Sequence, residues 1–167
     1  RNKKLEFDKT TQDALKLIHE GNHIIFREVG RVCEKYHLNY FLDSGNLIGA
    51  VREKSDIPWD DDADIAMTRK DFEVFRKVAR TELKDGFVYV EPDELNGAFY
   101  DFVPRVVMLD STMRENNAEQ KYYGNGIHNH MRTDIFIVDD VSDNMLKHKF
   151  LSCFIDSCVW HVHGTPL

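Results

Sequence analysis

The sequence has 167 residues, 42% hydrophobic and 31% charged, with a formal net charge of −7. That length suits one compact domain and is short for two. The acidic balance argues against non-specific nucleic-acid binding, which depends on neutralising phosphates, and no apolar run is long enough to span a bilayer.

Three cysteines, Cys33, Cys153 and Cys158, form too sparse a set for a disulfide framework; they fit a reducing compartment, with one bridge plus one free thiol as the alternative. No signal peptide is visible. A start at Arg1 and a stop after Pro166-Leu167 are expected of a piece of a longer protein, so missing targeting signals carry no weight.

Residues 10 to 37 read as one long helix, because Leu15, Ile18, Ile25, Val29, Val32 and Tyr36 recur at helical spacing. Thr10 or Thr11 can cap its start, and Gly21-Asn22 is expected to soften its middle. Tyr40-Phe41-Leu42 reads as a short strand, Ser44-Gly45-Asn46 as a turn, and Leu47 to Val51 as a helical turn. Asp62 to Met67 reads as a strand. Thr68 can cap a following helix over Asp71 to Leu83, which buries Phe72, Phe75, Val78 and Ala79. Phe87 to Val90 and Phe99 to Leu109 are expected as strands of a hairpin or meander. Ser111 to Gly126 is polar and reads as a long mobile loop. Thr133 to Val138 is a further strand, and Met145 to Trp160 an amphipathic helix.

The stretch Trp59-Asp60-Asp61-Asp62-Ala63-Asp64-Ile65-Ala66-Met67 is the most informative. Alternate residues of a strand share a face, so Asp62 and Asp64 are expected to point together, with Ala63, Ile65 and Met67 in the core. Paired carboxylates repel unless a cation sits between them, and hard oxygen donors suit Mg²⁺ or Mn²⁺. Asp60 and Asp61 read equally well as a solvated turn. Asp60, Asp62 and Asp64 also match the first three ligand positions of a calcium loop, but Ile65 stands where that loop needs Gly, which excludes it.

Asp134 sits among apolar neighbours in Arg132 to Val138, where an ionised carboxylate is costly unless paired or metal-bound. If its strand lies beside the Asp62 strand, three carboxylates converge to hold one or two metals and deprotonate a hydroxyl. The alternative is a strand-end or capping role. Gly45 and Gly49 allow close backbone approach to a phosphate, or are ordinary turn glycines. Arg52 either reaches a phosphate or pairs with Glu53 or Asp56. Trp59 is expected to pack beside the site. His128 and His130 could bind a metal together; His148, Cys153, Cys158, His161 and His163 match no standard zinc spacing.

Taken in order, Gly45 to Arg52, Ile57 to Met67, Arg69 to Phe75, Phe99 to Thr112, and Thr133 to Phe136 followed by Val138-Asp139 resemble the LicD family. That family includes bacterial phosphocholine transferases and shares its core with the fukutin-related proteins. The resemblance covers about residues 24 to 140 of a single domain. It implies an α+β fold, a nucleotidyltransferase-like core with a small mixed sheet flanked by helices. It further implies transfer of phosphocholine or a similar phospho-group from a CDP-linked donor such as CDP-choline to a glycan hydroxyl, with CMP leaving.

By the same resemblance Asp62, Asp64 and Asp134 are the metal-binding and catalytic residues, with Mg²⁺ or Mn²⁺. Gly45, Asn46, Arg52, Asp61 and Arg105 are the substrate-binding set, Arg105 as a second phosphate contact. Asn46 stands where Thr or Ser is common, and Ile137 where Pro is usual, which bears on donor and acceptor identity. The implied setting is cytoplasmic, at the inner face of a membrane that carries a glycolipid acceptor, or the Golgi lumen in a eukaryote. Two other readings stand beside it: a nucleotidyltransferase that takes an NTP and releases pyrophosphate, and a non-catalytic metal- or nucleotide-binding domain.

Overall fold

In the computed structural model, residues 9–95, 103–111, 130–140 and 149 are described. Helix α1 runs Lys9–Tyr36 and buries Ile25, Val29, Val32 and Cys33 along one stripe. Gly21 and Asn22 do not loosen it. Both are buried, and a Cβ on Gly21 would meet the Met131 side chain at 2.3 Å, so the glycine lets α1 sit close on the sheet. Burial pushes the Cys33 thiol up to about 12, which leaves it unreactive.

Strand β1 (Phe41–Leu42) precedes α2 (Ser44–Ile48), which passes into a π-helical turn at Gly49–Glu53. Ser44-Gly45-Asn46, expected as a turn, is therefore the first turn of a short helix. Strand β2 covers Asp64–Thr68, so Asp62 and Ala63 lie ahead of the strand assigned to them. Thr68 caps α3 (Arg69–Glu82), its Oγ accepting from the Asp71 N–H at 3.3 Å. Strands β3 (Phe87–Val90), β4 (Arg105–Met108) and β5 (Met131–Val138) complete the sheet. Most of the expected loop over 111–126, His128, the helix over 145–160 and the cysteine and histidine set at 148–163 lie outside the described residues.

The sheet order is β1-β2-β5-β4-β3, with β2–β5 parallel and the other pairings antiparallel. This mixed sheet with helices is the expected α+β class. Ile65 and Met67 of β2, Tyr89 of β3, Val106 of β4, and Met131 and Ile135 of β5 form one core with α1 and α3. Phe75 meets Tyr89 edge-on, ring centres 6.0 Å apart. Strand alternation sends the intervening residues to the opposite face. There the registers align Asp64 with Asp134 and Asp134 with Arg105, so the three form one row across β2, β5 and β4. Among the described residues, no helix is long and apolar enough to cross a membrane.

Candidate active site

The loop before β2 is irregular, so its backbone needs partners from elsewhere. α1 supplies two. His19 Nε2 lies 2.7 Å from the Asp60 carbonyl, which can only accept, so that nitrogen carries the hydrogen. Asn22, 3% exposed, donates from Nδ2 to the Asp62 carbonyl at 3.2 Å. α2 supplies a third: Asn46 Oδ1 accepts the Asp64 N–H at 2.6 Å, and its Nδ2 lies 3.5 Å from the Asp62 carbonyl. The Ala63 carbonyl accepts from the Asp134 N–H at 2.8 Å, which ties the loop to β5. With its backbone so occupied, the loop keeps its carboxylates for other work.

Carboxylate oxygens of Asp60, Asp61 and Asp62 come within 4.8 Å of one another. Gly45 makes room for this group, since a Cβ there would lie 1.8 Å from Asp60 Oδ2. Partial loss of hydration and repulsion from Asp61 and Asp60 raise the Asp62 carboxyl. Asp64 is pushed up to about 6, first by burial, then by Asp134 and Asp62; a hydrogen bond from Ser44 opposes the rise only in part. Hard oxygen donors at this spacing, left under-compensated, are a group that could hold a divalent cation.

Asp134 has a different environment. Arg105, 4% exposed, donates from Nε to Oδ1 at 2.5 Å and from Nη2 to Oδ2 at 3.2 Å. Arg132 Nε stands 3.9 Å from the same Oδ1. Asp64 and Asp134 are register partners, Asp62 lies in the loop just ahead of β2, and among the described residues the three carboxylates whose oxygens close to ligand spacing are those of Asp60, Asp61 and Asp62. Arg105 is buried against Asp134. Arg52 takes the ion-pair alternative, with its Nε 2.6 Å from Glu53 Oε1 at the surface. Trp59 beside the loop is 54% exposed, so it does not pack as expected.

Residues 37–163 match the family model described as LicD/FKTN/FKRP, nucleotidyltransferase domain. The chain belongs to the LicD family. It is 29% identical over 134 residues to the lipopolysaccharide cholinephosphotransferase LicD of Haemophilus influenzae, across 76% of this chain and 48% of that protein. An uncharacterized protein of Rickettsia typhi is 33% identical over 54 residues, 32% of this chain and 18% of the relative. One of Rickettsia prowazekii is 36% identical over 47 residues, 28% of this chain and 18% of the relative. The chain spans about half the length of the Haemophilus protein.

In this LicD-family domain, several residues that shape the site were not legible as site residues. His19 and Asn22 lie inside a helix whose period accounts for them without any site. Ser44 bonds Asp64 although it reads as a turn residue. Arg132 faces Asp134 because it lies two residues away on the same strand face. Arg132 carried the one available signal, a charged residue two before Asp134 in a strand.

Proposed function

We propose that this chain carries the donor-binding and catalytic part of a phosphotransferase. It would move phosphocholine or a similar phospho-group from a CDP-linked donor to a glycan hydroxyl and release CMP. What supports the reading is one observation: parallel pairing of β2 with β5 sets Asp64 beside Asp134, next to the Asp60–Asp62 carboxylates, in a LicD-family domain. The Haemophilus relative is by name a cholinephosphotransferase acting on lipopolysaccharide, which favours phosphocholine as the group moved and a glycan as the acceptor here.

The donor set fits Mg²⁺ or Mn²⁺. It is all oxygen, and the crowding that raises Asp62 and Asp64 is what a dication relieves. Asp62 and Asp64 would hold the ion, with Asp60 and Asp61 in reach. When bound, it would neutralise the donor diphosphate and the departing CMP.

The chain's own residues orient and prepare. Asn46, His19 and Asn22 hold the acidic loop in one conformation. Gly45 keeps the approach to Asp60 open. In the reaction the acceptor oxygen forms a bond to the phosphorus distal to cytidine, and the bond from that phosphorus to the bridging oxygen breaks. CMP takes the electron pair, and the hydroxyl proton passes to a site carboxylate or to water. A glycolipid acceptor would bring the protein to a membrane surface.

The test is incubation with CDP-choline, Mg²⁺ and lipopolysaccharide, with CMP and choline-labelled glycan as readouts. CMP release with label transfer is expected. Pyrophosphate release from an NTP with a nucleotide-labelled product would favour a true nucleotidyltransferase instead. Calorimetric binding of Mg²⁺ with no Mg²⁺-dependent affinity for CDP would favour a non-catalytic domain.

A further inference from the structure

The row across the sheet ends on an arginine, and this bears on how many metal ions the site takes. Both oxygens of Asp134 accept from Arg105, and Oδ1 has Arg132 beyond it at 3.9 Å. The contact is built by the backbone: Arg105 and Asp134 are register partners on antiparallel strands, while Asp64 is the register partner of Asp134 on the other side. Neighbouring strands lie about 4.8 Å apart, so the guanidinium and the metal-facing carboxylates flank Asp134 from opposite sides.

For Asp134 to bridge a second ion it would have to leave this fork. That would break both hydrogen bonds that a buried guanidinium makes to Asp134. A second dication would also sit against two guanidiniums of its own sign.

We propose that Arg105 is a positioning residue and the resident cation on the Asp134 side of the site, so that the acidic row takes one divalent ion rather than two. The inference rests on the metal reading above. In it Asp134 supplies a fixed negative wall aligned by Arg105, and Asp62 and Asp64 supply the ion's ligands.

Mn²⁺ binding to the full chain, followed by loss of the free-ion electron paramagnetic resonance signal, tests this. The count that matters is the number of Mn²⁺ lost in an Asp62→Asn/Asp64→Asn double variant. One is expected. Two would overturn the Arg105 assignment while leaving the metal reading in place. No loss at all would overturn both.

Arg105→Gln removes the cation and keeps a planar group. It is expected to bind a second Mn²⁺ or to bind the first about tenfold more tightly. Arg105→Lys keeps the charge and is expected to retain the wild-type count and affinity. A merely structural Arg105 would leave Mn²⁺ binding unmoved in a folded Arg105→Gln protein, and that result overturns the proposal. If Arg105→Gln does not fold, the wild-type count and Arg105→Lys still decide it.

Discussion

Asp64 and Asp134 stand as register partners across the parallel β2–β5 pairing, yet the sheet treats their carboxyls in opposite ways. Asp134 lies in the fork of a buried arginine on β4. Asp64 has burial and the like charges of Asp134, Asp62 and Asp60 pressing on it, with the Ser44 hydroxyl as an opposing partner. One carboxylate is satisfied from within the protein, and the other is under-compensated. Ligand binding relieves the second kind more than the first.

The first prediction follows from that contrast. Asp64→Asn should remove Mn²⁺ binding and lower kcat/KM with CDP-choline by about 10³-fold, the scale of a lost metal contribution to the transition state. Asp62→Asn should act in the same direction. Both variants should keep the circular dichroism spectrum and unfolding midpoint close to wild type, since neither side chain is part of the apolar core. Near-normal turnover in either would remove the metal site.

The second prediction concerns pH. The Asp64 carboxyl is raised from 3.8 in an unfolded chain to about 6 in the fold. The folded state therefore holds this proton more tightly than the unfolded one. Its contribution to stability is fully present below 3.8 and is lost as the pH rises through about 6. Metal-free protein should thus gain stability relative to Asp64→Asn between pH 7 and 5. The gain should be about 1 kcal/mol once solvent screening of a half-buried group is allowed for. Saturating Mg²⁺ should reverse the sign, because the ion needs the ionised form. Urea titrations of both proteins at pH 5, 6 and 7 read this out; a flat difference between them rejects it.

The parts of this fold that were legible in the sequence are those set by local period. The stripe through Ile25, Val29 and Val32 located α1, and the apolar alternation around Ile135 located β5. Phe72, Phe75 and Ala79 marked the buried face of α3. The acidic loop defeated the same reasoning. Alternation extended β2 back to Asp62, but the loop's backbone is held by His19, Asn22 and Asn46, between 16 and 41 residues away. No window along the chain contains those partners. Arg105 and Asp134, 29 residues apart, are joined by the same kind of long-range pairing. A motif singled out the carboxylates, and only the sheet register showed which of them is paired with an arginine.

Gly45 gives the third prediction. Alanine is ordinarily the better helix residue by about 0.5–1 kcal/mol, so Gly45→Ala in α2 should not lower stability through backbone effects. Its Cβ would fall 1.8 Å from Asp60 Oδ2 and 2.9 Å from Asp60 Cγ, and the Asp60 side chain is too short to swing clear without moving the carboxylate group. The expected result is an unfolding midpoint close to wild type with Mn²⁺ affinity reduced about tenfold, of the order seen when a metal site's supporting contacts are disturbed. Calorimetric Mn²⁺ titration beside a thermal melt separates the two. Unchanged affinity would show that Asp60 has no part in the site.

The fourth prediction tests the opposite face, where α1 is fastened to the end of α3. Glu28 is 5% exposed and accepts from Arg31 Nε and Nη2 at 3.1 and 2.6 Å and from the Lys84 N–H at 3.0 Å. Burial alone would raise its carboxyl, but these bonds outweigh burial and hold it below the usual range. Arg31 in turn donates to the Glu82 carbonyl at 2.5 Å, and Lys35 and Tyr36 reach the Glu82 carboxylate at 2.5 and 2.7 Å. Glu28→Ala leaves the Lys84 N–H and the Arg31 guanidinium without this acceptor, which should cost about 2–3 kcal/mol in urea unfolding. Glu28→Gln keeps the shape and one acceptor, and should cost about half as much. Mn²⁺ affinity should stay at the wild-type value in both, because the acidic row lies on the other side of the sheet. A loss below about 0.5 kcal/mol in Glu28→Ala would show that the helix pair is held by its apolar contacts alone.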